Sequence, residues 1–214
     1  IVYIGLVVRP MPCAQGQALP TIEADTDAVS VETATRLTNV TGRFPGARHH
    51  PVPIYPENTM LTVICETPGV LRAIEGDMPH RNEEDVLVRV CRVGVCGTDL
   101  HIFTGNQPYL AYPRVMGHEI AGTVEKAPAG SALQAGDTVF VMPYLSCGNC
   151  VACRQGKTNC CVNIQVLGVH RDGGFAEYLT VPQGFVHKVE GISLDQAAML
   201  EFLAIGAHAV RRAD

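Results

Sequence analysis

The sequence predicts a mainly β domain, a small barrel or sandwich that carries a cysteine-rich metal lobe and ends in a helix. Three observations predict it. Short alternating segments separated by glycine turns recur after Met60, five cysteines crowd into residues 147–161, and a capping-box signature at Ser193 opens a helical run.

The first 59 residues have a different texture from the rest. Seven of the 14 prolines precede Met60, and Gly42 to Pro56 is interrupted too often by Pro and Gly to form a central strand or a helix. Thr26 to Leu37 reads as a weak helix at best, because its β-branched residues disfavour one. Residues 1–59 are therefore expected to be a disordered or loosely packed extension, and 60–214 the functional domain. The chain does not begin with Met, and the reading takes Met60 as the start of the functional protein.

From Met60 the elements follow in order. Leu61–Cys65 and Val70–Glu75 flank a Pro68-Gly69 turn and predict a hairpin. Asp85–Val93 alternates, with Val86, Val88 and Val90 on one face and Leu87, Arg89 and Cys91 on the other. Further strands are expected at Glu119–Lys126, Asp137–Met142, Phe175–Val181 and Val186–Val189. Ser193 with Gln196 then caps a helix running through Arg212, whose last turn carries Arg211 and Arg212 against the helix dipole.

Composition excludes several classes. A net charge of -5 and a pI near 5.9 leave no basic face for nucleic acid or an anionic membrane. No apolar run approaches the ~20 residues that span a bilayer, and Ile1–Val8 is too short and lacks the preceding basic residues of a signal peptide. A cytoplasmic, reducing compartment is expected, and in it clustered cysteines read as metal ligands rather than disulfides.

The nine cysteines divide by placement. Cys13, Cys65 and Cys91 are scattered, and read as small apolar residues or surface thiols. Cys147, Cys150, Cys153 and Cys161 form C-x2-C-x2-C-x7-C, the four-thiolate set of a closed structural zinc site. Gly148 and Gly156 leave backbone N–H groups able to point toward the thiolates. Cys160 offers an alternative fourth ligand that spacing alone does not reject. An iron–sulfur cluster shares C-x2-C-x2-C, but its usual x3-Cys-Pro continuation is missing here.

A second set surrounds Cys96. Val95-Cys96-Gly97-Thr98-Asp99-Leu100-His101 precedes Gly117-His118-Glu119 in the chain. A catalytic zinc takes about three protein ligands and leaves one position open. Cys96 and His118 offer sulfur and nitrogen, and Glu119 offers oxygen directly or from just behind the metal. Thr98 can place its hydroxyl on a substrate oxygen, and His101 can carry the proton to solvent. Taken singly, such a cysteine is more often packing, a His-Glu pair is more often a strand edge, and Asp99 reads as a turn or supporting acceptor rather than an acid. The combination with the downstream cysteine cluster is what points to metal chemistry.

These motifs, GVCGTDLHIFTG, PRVMGHEIAGTV, the four-cysteine lobe and DGGFAEYLTVP, resemble the zinc-dependent medium-chain dehydrogenases that act on alcohols, sorbitol, threonine and sugar acids. The resemblance runs from about Met60 to the end. It implies a GroES-like β-barrel, normally completed by a Rossmann domain that binds NAD or NADP, and two zinc ions per chain. It places Cys96, His118 and Glu119 at the catalytic zinc, with Thr98 and His101 as the proton relay and Cys147, Cys150, Cys153 and Cys161 at the structural zinc. Glu201, in Met199-Leu200-Glu201-Phe202-Leu203, matches a carboxylate near the metal in the polyol branch, although Phe202 stands where that branch has proline. The full-length protein would take a small alcohol, polyol or sugar acid and form a homo-oligomer.

The 214 residues contain no G-x-G-x-x-G, so the nucleotide-binding domain is expected to follow Asp214 in a longer protein. The terminal helix would then bridge to that domain, leaving Leu200, Leu203, Ala207 and Val210 partly uncovered here. The alternative is a stand-alone zinc-binding barrel acting as an interaction module. A zinc-ribbon nucleic-acid binder is disfavoured by the charge.

Overall fold

The computed structural model describes residues 6–8 and 58–213. Its strands are β1 (Leu6–Val8), β2 (Thr59–Thr67), β3 (Val70–Asp77), β4 (Asp85–Val95), β5 (Arg114–Val115), β6 (Glu119–Lys126), β7 (Thr138–Val141), β8 (Tyr144–Leu145), β9 (Gln165–Val166), β10 (Tyr178–Pro182) and β11 (Val186–Lys188). Helices α1 (Gly97–Phe103), α2 (Val151–Arg154), α3 (Leu194–Ala198) and α4 (Leu200–Ala213) lie between or after them. The mainly β class expected from the sequence is what the chain adopts. No helix among the described residues is long and apolar enough to cross a membrane.

Strand β4 organises the main sheet, whose order is β1-β4-β6-β7-β11 with β10 also paired on β4. Its valines alternate inward as expected through Val86, Val88 and Val90, and the phase then changes. Val90 faces Gly122 while Arg92 faces Ala121, so Cys91 is the extra residue of a β-bulge and is itself buried. A bulge increases local twist and re-aims the strand. Beyond it Val93 points into the core, Gly94 is also buried, and the strand delivers Cys96 to the site. Val86, Val88, Val93, Ile120, Val139, Val141 and Val181 are essentially solvent-free and form the core.

The second sheet, β3-β2-β5, contains the expected hairpin about Pro68-Gly69. Residues 174–177, of which 175–177 are expected to open a strand, instead stitch the two sheets together before β10 begins. Gly174 and Phe175 donate to Gly117 and Met116, Val63 donates to the carbonyl of Phe175, and Val90 donates to that of Glu177. A segment that serves several neighbours cannot keep the regular ladder of a single strand.

Two other expectations change. The single helix over Ser193–Arg212 is two: the capping box of Ser193 and Gln196 forms as read, but α3 ends at Ala198 and α4 starts at Leu200. Ala197 and Ala198 pack on Ala121, whereas Glu201 is buried near Tyr144, so the two pieces serve different neighbours. Within the expected extension 1–59, residues 6–8 form β1, which pairs with Val93–Val95 on the edge that β10 leaves beyond Arg89. Strand β2 already starts at Thr59. Residues 9–57, including the weak helix over Thr26–Leu37 and Cys13, lie outside the described residues.

Gly122 sets the spacing between β4 and β6. A Cβ there would lie 2.1 Å from the Arg89 carbonyl oxygen, a backbone atom that cannot swing away. Gly122→Ala is expected to destabilise the chain by about 2 kcal/mol or more, as overpacking of a tight core does. Chemical denaturation of the two proteins checks this, and matching midpoints would refute it.

Candidate metal centres

The first centre begins with Cys96 at the end of β4. The backbone turns there into α1, a helix the sequence pattern did not reveal because it is short and opens on Gly97 and Thr98. It is held by a capping box in which cysteine takes the place of serine: Cys96 Sγ accepts from the Thr98 N–H at 3.3 Å, and Asp99 Oδ2 accepts from the Cys96 N–H at 3.0 Å. Asp99 is 1% exposed, and its other oxygen accepts from the Gly117 N–H at 3.1 Å. One buried carboxylate therefore joins the segment bearing Cys96 to the segment bearing His118 and Glu119.

His118 and Glu119 are buried with Cys96, and their donor atoms lie within 4.8 Å of one another. His118 Nε2 is 2.9 Å from Cys96 Sγ. His118 Nδ1 has no hydrogen-bond partner, the nearest charge being Asp99 Oδ2 at 3.8 Å. Glu119 Oε1 is buried and likewise unpartnered. Buried polar atoms without partners are costly, and a cation beside Glu119 Oε1 would remove that cost there.

Gly94 makes the approach possible. It faces Glu119 across the β4–β6 pair, and a Cβ there would sit 1.8 Å from Glu119 Oε2. The carboxylate lies over the space a side chain would have filled. A glycine interrupting an otherwise alternating strand is the only sequence signal for this role.

Charge tells the same story. Burial opposes ionisation of His118, but its hydrogen bond to Cys96 and the charges of Asp99, Cys96 and Glu201 outweigh burial and raise its pKa to about 9. Burial raises the Glu119 carboxyl, His118 lowers it, and Glu201 and Asp99 raise it further. One imidazole thus faces a thiol and three carboxyl groups, an imbalance suited to a divalent cation.

The remaining sequence-predicted residues fall as follows. Thr98 is half-buried and His101 exposed, three residues apart on α1, hence on neighbouring positions of one helix face. Glu201, which would read as an exposed helix residue, is 4% exposed and accepts from the Tyr144 hydroxyl at 2.5 Å. It stays outside the Cys96–His118–Glu119 set. Tyr144 itself was not legible from sequence, since nothing in its surroundings marks it.

The second centre is the four-cysteine lobe between β8 and β9. Cys147, Cys150, Cys153 and Cys161 bring their sulfurs within 4.8 Å of one another, while Cys160 is exposed and outside the set. The Cys147 N–H donates to Cys161 Sγ at 3.3 Å. The N–H groups of Cys153 and Val162 bring the Cys150 thiol down to about 6, and those of Asn149 and Cys150 lower Cys147. Backbone dipoles thus favour the thiolate, the form that binds metal, at Cys147 and Cys150, while burial and the neighbouring Cys150 and Cys161 thiols push Cys153 up to about 12. Gly148, at φ +72°, supplies the left-handed turn that aims them.

This geometry has a counterpart among known proteins. The family model of the alcohol dehydrogenase GroES-like domain matches residues 82–191. The chain belongs to this family. The GroES-like chain is 46% identical over 157 residues to the L-galactonate-5-dehydrogenase of Escherichia coli K12, covering 73% of this chain and 46% of that protein. It also resembles two solved structures. One, at 38% identity and TM-score 0.63, is an alcohol dehydrogenase (rspB) from E. coli CFT073 complexed with NADH, and the match covers 67% of this chain and 42% of that one. The other, at 32% identity and TM-score 0.61, is a cobalt- and zinc-bound thermostable alcohol dehydrogenase from Pyrobaculum aerophilum, with 67% and 45% covered. The chain spans under half the length of these relatives.

Two predictions come from this geometry. Asp99→Asn replaces one of two acceptors by a donor facing an N–H, so metal affinity at the Cys96 centre should fall about ten- to a hundredfold. The four-cysteine lobe should keep its metal; competition with a chromophoric chelator reads both, and equal affinity at the Cys96 centre would refute the role given to Asp99. The second concerns pH. His118 has a folded pKa above its ordinary value, so without metal its imidazolium contributes stability that is complete below about pH 6.5 and is lost as pH rises through about 9. A metal must displace that proton. With the lobe already filled, affinity at the Cys96 centre should rise by at least about tenfold per pH unit from 7 until the His118 share levels near 9; a flat profile would refute it.

Proposed function

We propose that this chain is the metal-binding, alcohol-activating part of a zinc-dependent, NAD(P)-linked dehydrogenase of polyols or sugar acids. The observation that carries the reading is the buried trio of Cys96, His118 and Glu119 with two unpartnered polar atoms. Mixed sulfur, nitrogen and oxygen donors, three in number, suit a catalytic zinc, and four clustered thiolates suit a structural one. The relatives support the class. Similarity to L-galactonate-5-dehydrogenase supports a secondary hydroxyl of a sugar acid as substrate, and the carboxylates Glu119 and Glu201 near the trio agree with that branch.

Zinc bound to the trio supplies Lewis acidity at the substrate oxygen, and NAD or NADP bound by the full-length protein supplies the hydride acceptor. The chain's own residues manage the proton. Thr98, two residues beyond Cys96, would present its hydroxyl to the alcohol, accepting its proton as the hydroxyl's own proton moves on toward His101. His101, one turn on and exposed, passes the proton to solvent. Asp99 takes no part in this transfer, because both its oxygens are engaged with backbone N–H groups and its task is to hold the trio together. Glu201 is an outer carboxylate whose charge bears on His118 and Glu119.

Elemental analysis of the purified chain tests the reading directly. Two zinc ions are expected, falling to one in Cys96→Ser, and a wild-type chain without zinc would overturn the proposal. The same 214 residues are expected not to bind NAD, since they hold no dinucleotide fingerprint. Joined to the nucleotide-binding half of its galactonate relative, the chain should oxidise L-galactonate. There Thr98→Val should lower kcat at least about a hundredfold with zinc content unchanged; near-normal turnover would remove Thr98 from the relay.

A further inference from the structure

His118 sits where no strand holds it. Strand β5 supplies only Arg114 and Val115, paired with Cys65 and Ile64 of β2, and β6 begins at Glu119. Met116, Gly117 and His118 belong to neither strand and cross from one sheet to the other, with Gly117 at φ +90°. The place of the His118 ring therefore depends on what grips the backbone leading to it.

Segment 172–175 supplies most of that grip. Asp172 Oδ1 accepts from the Val115 N–H at 3.2 Å. The N–H groups of Gly173, Phe175 and Gly174 then donate to the carbonyls of Val115, Met116 and Gly117, at 2.8, 3.0 and 2.8 Å. The Gly117 N–H goes to Asp99 instead. The approach is so close that it requires glycine. A Cβ on Gly173 would lie 2.2 Å from the Gly117 oxygen and 2.6 Å from that of Met116, both backbone atoms.

Asp172 is where this clamp starts. The oxygen that accepts from Val115 also accepts from Arg114 Nη1 at 2.9 Å, so two donors of β5 converge on it. The Asp172 side chain is 64% exposed, and an ion pair that open to water adds little through charge. Its contribution is geometric: a side-chain oxygen at this position fixes the loop, and an amide oxygen accepts the same two bonds. Resting on the reading of the trio as a metal site, we propose that Asp172 is a positioning residue, pinning segment 172–175 to β5 and so fixing the backbone that carries His118. Asp99 holds that backbone by one N–H, and the segment that Asp172 anchors holds its carbonyls.

Cobalt(II) titration of the full chain, with zinc already in the four-cysteine lobe, tests this without any turnover. Asp172→Ala should bind cobalt at the Cys96 centre about tenfold more weakly than the wild type, as loss of a supporting hydrogen bond does at metal sites, and the visible band of the bound cobalt should shift. Asp172→Asn should restore both affinity and band. Gly173→Ala keeps the Asp172 carboxylate but pushes the 115–117 backbone away, and should shift the band as Asp172→Ala does. In all three variants the lobe should release its zinc to a chelator as the wild type does, because its four ligands lie outside the clamp. Wild-type affinity and band in Asp172→Ala overturn the proposal. An equally impaired Asp172→Asn, or a parallel loss of the lobe zinc, overturns it as well. A wild-type chain that takes up no cobalt at Cys96 overturns the metal-site reading and this proposal with it, a result distinct from any variant's.

Discussion

A buried carboxylate with two backbone obligations is the constraint on which this domain's chemistry depends. Asp99 has almost no contact with solvent, and an anion there is tolerable only if its oxygens are satisfied. They are satisfied by the N–H groups of Cys96 and Gly117, which belong to the two segments carrying the candidate ligands Cys96, His118 and Glu119. Either segment moving alone would leave a buried charge unpaired. The same carboxylate caps α1 and stands 3.8 Å from the His118 ring, so local helix formation, the joining of two loops and the charge on the imidazole share one group.

Close packing supplies what Asp99 cannot. The bulge at Cys91 turns β4, and Gly94 then leaves room for Glu119 to lie across the strand instead of pointing away. Segment 174–177 braces the Gly117 turn from behind through Gly117 and Met116 carbonyls, while bonding both sheets. The site is thus built at the seam of two sheets, where strand ends converge and a few glycines permit close approach. Its excess of acidic groups would be unfavourable in an empty, dry pocket, and is consistent with a cation as the missing partner.

The four-cysteine lobe differs in kind. Its ligands come from one short stretch of chain, aimed by a left-handed glycine and by backbone N–H groups that stabilise thiolates. Strand β8 leads into it, and Tyr144 on that strand reaches the buried Glu201 in the first turn of α4. The exposed side of α4, including Leu203 and Val210 at 50% and 69% exposure, is apolar surface of the kind that proteins usually cover.

Periodicity and spacing were enough to read most of the strands, the hairpin, the capping box at Ser193 and the two groups of candidate ligands. These features are local: alternation, turn residues and C-x2-C spacing act over a few neighbours, so they survive in a one-dimensional string. The shape of β4 past Cys91, the break at Met199 and the irregular path of 174–177 were not legible, because each answers to several partners distant in sequence. The same holds within the site. Cys96, His118 and Glu119 are marked by their residue types, whereas that the Cys161 sulfur joins the cluster and Cys160 stays exposed is visible only in the folded lobe. Asp99's double duty, Gly94's clearance and the burial of Glu201 against Tyr144 depend on contacts 18 to 57 residues apart. By itself the sequence determined which atoms were available to bind metal and the elements that carry them. Tertiary structure alone decided which of those atoms meet and which are held apart, because burial and long-range hydrogen bonds exist only once the sheets have packed.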